Sequence, residues 1–103
     1  MWIQTDGSNL QDLTLYNADK MSLIMPNATG IGYRLYGQSI GGGNSTGTFF
    51  VTSRSKTASQ RKALVTKAVN YLLYCLEREA NVSHPSPAVC DLTGDISNAP
   101  AGL

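Results

Sequence analysis

Residues 57–80 read TASQRKALVTKAVNYLLYCLEREA, and this stretch decides the fold class because it announces both the start and the face of a helix. Thr57 and Gln60 have the spacing of a capping box, in which the hydroxyl accepts from the backbone N–H three residues on and the amide side chain reaches back. Turned at about 100° per residue, Leu64, Val65, Ala68, Val69, Leu72, Leu73, Cys75 and Leu76 fall within roughly half of the helix circumference. That arc is wider than one face of a small sheet covers. Tyr71 and Tyr74 lie just outside it, which leaves their apolar bodies in need of cover. A helix over 57–80 is therefore expected, with apolar surface to spare.

On the N-terminal side, apolar and β-branched residues run in short segments broken by turn residues, which predicts strands. Trp2–Thr5 leads into Asp6-Gly7, a dipeptide favoured in tight hairpin turns. Leu13 and Leu15 then alternate with polar neighbours until Asn17-Ala18-Asp19-Lys20 interrupts them. MSLIM (21–25) resumes, and Pro26-Asn27 ends it, because proline cannot donate to a central ladder. YRLYGQSI (33–40) and GTFFVTS (47–53) follow, and the intervening GGGNST reads as a hairpin tip.

The expected fold class is α+β: a four-stranded antiparallel meander with one long C-terminal helix packed on one face. Residues 1–82 would form the single domain, which suits a chain of 103 residues with 42% hydrophobic content. Residues 83–103, with prolines 85, 87 and 100 and no periodicity, would form an irregular C-terminal tail. Val89, Leu92 and Ile96 are the side chains able to dock it.

The elements of a catalytic or cofactor site are missing. Gly30-Ile31-Gly32 and Gly41-Gly42-Gly43 both lack the third glycine of a dinucleotide loop, and the Gly42–Gly47 spacing is followed by Thr48 and Phe49 rather than by lysine and a hydroxyl residue. His84 is the one histidine; it lies in SHPSP, with no rigid element to aim it at a nucleophile. Cys75, His84 and Cys90 are too few and too scattered for a zinc site. Asp91 and Asp95, like Asp6, Ser8, Asn9 and Asp12, lack the ligand pattern of a calcium loop. Glu77 and Glu79 diverge on the helix and cannot act as a carboxylate pair. No enzyme, cofactor or metal is expected. Cys75 falls on the apolar face of the helix, so both cysteines are read as reduced. MWIQTDGSN has neither the charged nor the apolar part of a signal peptide, and no apolar run approaches the roughly 20 residues of a membrane span. The expected setting is cytoplasmic, with no membrane partner, and the sequons at Asn27, Asn44 and Asn81 carry no weight there.

Trp2, Ile3, Asp6 and Gly7, followed by Asn17, Asp19, Met21 and Ile24, resemble a group of small uncharacterised bacterial proteins with a W-I-x-x-x-D-G pattern, from which this chain departs in having two residues, not three, between Ile3 and Asp6. LYNADKMSLI is also similar to the turn of FlbD-type small flagellar proteins. The resemblance implies four strands and one C-terminal helix and carries no assigned activity.

The net charge is +1, but its distribution is uneven. Between Lys20 and Cys75 every charged residue is basic: Lys20, Arg34, Arg54, Lys56, Arg61, Lys62 and Lys67. Five of these lie in SRSKTASQRKALVTK, around a helix start whose free N–H groups already favour an anion. Two functional readings follow. One is a non-enzymatic interaction or regulatory module, a homodimer or a partner of another protein, with Val69, Leu73 and Tyr74 at its interface. The alternative is a binder of an anionic ligand or nucleic acid through residues 54–67, with Arg54, Lys56, Thr57, Ser59, Arg61 and Lys62 as contacts. In that alternative Tyr33, Tyr36, Phe49 and Phe50 could stack on bases, although strand aromatics also serve as core.

Overall fold

The computed structural model describes residues 1–6, 14–36, 46–81 and 89–103. Among the described residues are six strands and one long helix: β1 Trp2–Thr5, β2 Thr14–Asn17, β3 Met21–Pro26, β4 Gly30–Leu35, β5 Thr46–Val51, α1 Ala58–Asn81 and β6 Val89–Asp91. The class is α+β, but the strands form two three-stranded sheets, ordered β2-β1-β6 and β3-β4-β5, instead of one four-stranded meander.

The division falls at Asn17–Lys20. The Asn17 side chain accepts from the Asp19 N–H at 3.0 Å, and the chain winds through a single 3-10 turn over Ala18–Lys20. Such local side-chain bonding competes with a ladder. Residues read as one interrupted strand thus become β2 and β3, in different sheets. Nor is the β1–β2 connection a two-residue turn, because Thr5 is opposite Thr14 and residues 6–13 span the gap. Of these, 7–13 lie outside the described residues, as do the glycines at 41–43, residues 37–40 of the expected third strand, and His84.

The second sheet is a true meander. Pro26 closes β3, and the Asn27 carboxamide oxygen accepts from the Thr29 N–H at 2.8 Å and the Thr29 hydroxyl at 3.0 Å, which folds the hairpin into β4. β5 then carries a bulge: Ile31 is opposite Phe50 and Gly32 opposite Thr48, so Phe49 is the extra residue. An extra residue breaks the alternation of faces, and adjacent Phe49 and Phe50 are both buried. Phe49 joins Tyr33 and, from the other sheet, Tyr16, with ring centroids 5.6–6.1 Å apart. Tilted aromatic contacts of this length are favourable beyond the area they bury, and here they tie the two sheets together. Gly30 must be glycine, since a Cβ there would collide with the Phe50 carbonyl.

The C-terminal segment is the main departure from expectation. β6 pairs in parallel with β1, with Trp2, Ile3 and Gln4 opposite Val89, Cys90 and Asp91, and the Leu92 N–H continues the ladder to the Gln4 carbonyl at 2.8 Å. Cys90, Leu92 and Ile96 are at most 2% exposed. Leu92 and Ile96 dock the segment as expected; Val89 faces outward. Residues 89–96 are therefore part of the first sheet and of the core, and a boundary at residue 82 has core residues on both of its sides. Three residues were too few to show a strand period.

After β6 the Asp91 carboxylate accepts from the Thr93 N–H and hydroxyl and from the Asn98 side chain. The chain then passes through Gly94, Asp95 and Ile96 at φ of 58°, 58° and 64°. A β-branched residue in this region is strained, and complete burial of the Ile96 side chain offsets the cost.

Candidate functional site

α1 presents three surfaces. The inner one begins with Val65, Ala68, Tyr71, Leu72 and Cys75, all buried. Tyr71, expected at the edge of the apolar arc, is buried because β6 covers it: its hydroxyl accepts from the Asp91 N–H at 3.4 Å. Burial raises the phenol above its ordinary value. One turn on, the Cys75 thiol meets that of Cys90. A further turn on, the Glu79 carboxylate accepts from the Met1 ammonium at 3.0 Å, and Asp19 shares that ammonium at 3.4 Å. Residues i, i+4 and i+8 of one helix face thus meet the first sheet at successive points. Eight helix residues advance about 12 Å and the three strand positions between Asp91 and Met1 about 10 Å, so the two rises nearly match. Desolvation opposes the charge on the Met1 ammonium, but the hydrogen bond and charge of Glu79, with Asp19 adding, outweigh it and raise the group above its ordinary value.

The second surface is the basic helix start. The capping box forms as expected: the Gln60 N–H donates to the Thr57 hydroxyl at 3.2 Å and the Thr57 N–H to the Gln60 side-chain oxygen at 2.9 Å. Two groups that an anion would use are thereby engaged. Lys56 is engaged too, by Asp95 at 3.2 Å. Nothing in the sequence marks Asp95 as its partner, because only the path of the C-terminal segment brings them together. Arg54, Ser59 and Lys62 are exposed and Arg61 half-buried. Of the six expected contacts, Ser59 and Lys62 line a shallow groove of about 450 Å³ together with Ala63, Thr66, Lys67, Asn70 and Leu103. Thr66, Lys67 and Asn70 recur at helical spacing with them; Lys67 belongs to the basic segment 54–67, whereas Thr66 and Asn70 were not among the expected contacts.

The third surface points away from both sheets. Val69, at its margin, is half-buried and packs against the core, whereas Leu73 is 57% and Leu76 42% exposed. Tyr74, the remaining expected interface residue, is half-buried and engaged within its own helix: the Arg78 guanidinium lies 5.4 Å from the ring centroid and donates to the hydroxyl at 2.7 Å. Of the aromatics considered for stacking, Phe49 and Phe50 are core, Tyr33 is half-buried in the aromatic trio, and Tyr36 is 64% exposed.

Among the described residues no cluster of three or more His, Cys, Asp or Glu could hold a metal ion, and no buried side-chain polar atom lacks a partner. No described helix is long and apolar enough to cross a membrane. No family model, curated protein or solved structure matches the chain.

Proposed function

We propose that this protein is a small, non-enzymatic interaction module of the cytoplasm that self-associates through the outward stripe of α1. The observation that supports this reading is the exposure of Leu73 and Leu76 on a helix whose inner face is already covered. Val69, Leu73, Leu76 and Ala80 are spaced four, three and four residues apart, the interval at which two helices share a seam. The occupant is a second copy of the chain. Lys62 lies towards one end of α1 and Glu77 towards the other, while Glu79 is already held by Met1. An antiparallel, two-fold pairing sets unlike ends together, and such closed symmetry is usual for homodimers. The half-buried Val69 extends the seam, whereas Tyr74 is turned roughly 130° from it and packs against the core.

Sedimentation equilibrium at micromolar concentration tests the proposal. The wild-type chain is expected at dimer mass and Leu73→Glu at monomer mass with unchanged helical circular dichroism. A monomeric wild-type chain at those concentrations removes the reading.

A second reading is supported by the groove that contains Lys62 and Lys67: an anionic ligand or a nucleic acid held along α1. Binding of this kind weakens steeply with salt, as displaced counterions return. A Lys62→Gln, Lys67→Gln chain should then lose affinity without losing stability. No binding of nucleic acid or polyphosphate at low salt eliminates it.

A further inference from the structure

Cys75 and Cys90 come from opposite sides of the seam between α1 and β6. Both are free and buried, Cys75 at 5% and Cys90 at 0% exposure. Two contacts bracket them. Tyr71, one turn before Cys75, is hydrogen-bonded to Asp91, the residue after Cys90. Glu79, one turn after Cys75, is ion-paired to Met1, two residues before Ile3, which lies opposite Cys90. These pins set the two buried thiols against each other across the seam. No third metal-ligating side chain joins them among the described residues, so the pair has the composition of a dithiol rather than of a metal site.

We propose that Cys75 and Cys90 are a reversible disulfide site whose oxidation locks the C-terminal strand onto the helix. The oxidant is a small-molecule disulfide such as glutathione disulfide. Cys75, the less buried of the two, gives up its proton, and its thiolate attacks one sulfur of the oxidant. The oxidant's S–S bond breaks, a mixed disulfide forms, and one glutathione leaves and takes the proton. The Cys90 thiolate then attacks the Cys75 sulfur, the protein S–S bond forms, and the second glutathione leaves with the second proton. Two electrons pass from the protein to the oxidant in total.

Burial raises both thiols above their ordinary range, and the thiolate is the reactive species. The closed seam therefore reacts slowly, and exchange proceeds when β6 lifts from α1. Once formed, the bridge opposes that lifting. Oxidation is accordingly slow to begin and stabilising when complete, and the segment it secures carries Leu92, Ile96 and Asp95, the partner of Lys56.

The test uses the unmodified chain equilibrated across glutathione redox ratios, quenched by alkylation and read by intact mass and peptide mapping. The expected product is a monomer-mass chain lacking two hydrogens, with Cys75 linked to Cys90 and full reversal by dithiothreitol. Closing a loop of about 15 residues should raise the melting temperature by about 10–20 °C. A sub-denaturing urea concentration should speed the reaction. Cys75→Ala, a small apolar replacement, should retain the fold and give neither the linked product nor the shift. The proposal is overturned if both thiols stay alkylatable at the most oxidising ratio even in urea. It fails equally if only glutathione adducts or intermolecular links form, or if the linked chain melts no higher than the reduced one.

Discussion

The two sheets are assembled from the chain in opposite ways. β3, β4 and β5 follow one another, so each strand of the second sheet pairs with its neighbour in sequence. The first sheet brings Trp2 beside Val89, with nearly the whole chain between them. Closing so long a loop costs more entropy than closing a hairpin, and the return comes only when β6 is seated. The difference teaches where each sheet's stability comes from. The second sheet rests on local turns, a bulge and close backbone approach; the first rests on side chains from three distant segments, with α1 as the common wall.

The largest effect should come from breaking the second sheet at its tightest point. Gly30→Ala forces a Cβ against the Phe50 carbonyl, and backbone cannot swing aside. A loss of more than about 3 kcal/mol is expected in urea unfolding. Leu92→Ala attacks the first sheet and should cost about 3 kcal/mol through the cavity it leaves. A loss below about 1 kcal/mol would show that β6 is only loosely attached.

A smaller effect belongs to the first sheet alone and is read by pH. The Met1 ammonium is raised above its ordinary value of 8.0, so its contribution is complete below pH 8 and is lost as pH rises through the folded value. Asp91 behaves oppositely. Burial opposes its charge, but bonds from Thr93 and Asn98 outweigh this and lower it from 3.8. Its contribution is present above that value and is lost as pH falls through the folded one. Both groups sit on the first sheet or its margin. Glu79→Gln should therefore flatten the alkaline limb of a stability–pH curve and leave the acid limb in place. The smallest effect is expected for Lys56→Gln. Its pair with Asp95 is partly exposed, and such pairs contribute less than about 1 kcal/mol.

This contrast also explains what could be read in advance. α1 was legible to within a residue at each end, because its capping box and 3.6-residue period are local signals. β3 and β5 were legible for the same reason, but β4 begins at Gly30 rather than at residue 33, and the separation of these strands from β1 and β2 was not legible: the Asn17 turn that parts the sheets looks, in one dimension, like an interruption within a strand. β6 was missed because its pairing partner is at the other end of the chain. Tyr71 and Asp95 were misjudged as a consequence, one placed at the edge of the apolar face and the other given no partner. Within the candidate site Arg61 and Lys62 lie in the first turns of α1, while Arg54 and Lys56 precede it and the pairing of Lys56 with Asp95 depends on the same unseen strand.

The most direct test is native-state hydrogen exchange at the Leu92 amide, which donates to Gln4 across the β1–β6 junction. If the C-terminal strand completes the first sheet, this amide exchanges with the protection of Ile3 and of the α1 core, through global unfolding. Exchange at Leu92 at the rate of an unstructured peptide, while β4 and α1 stay protected, would contradict the account.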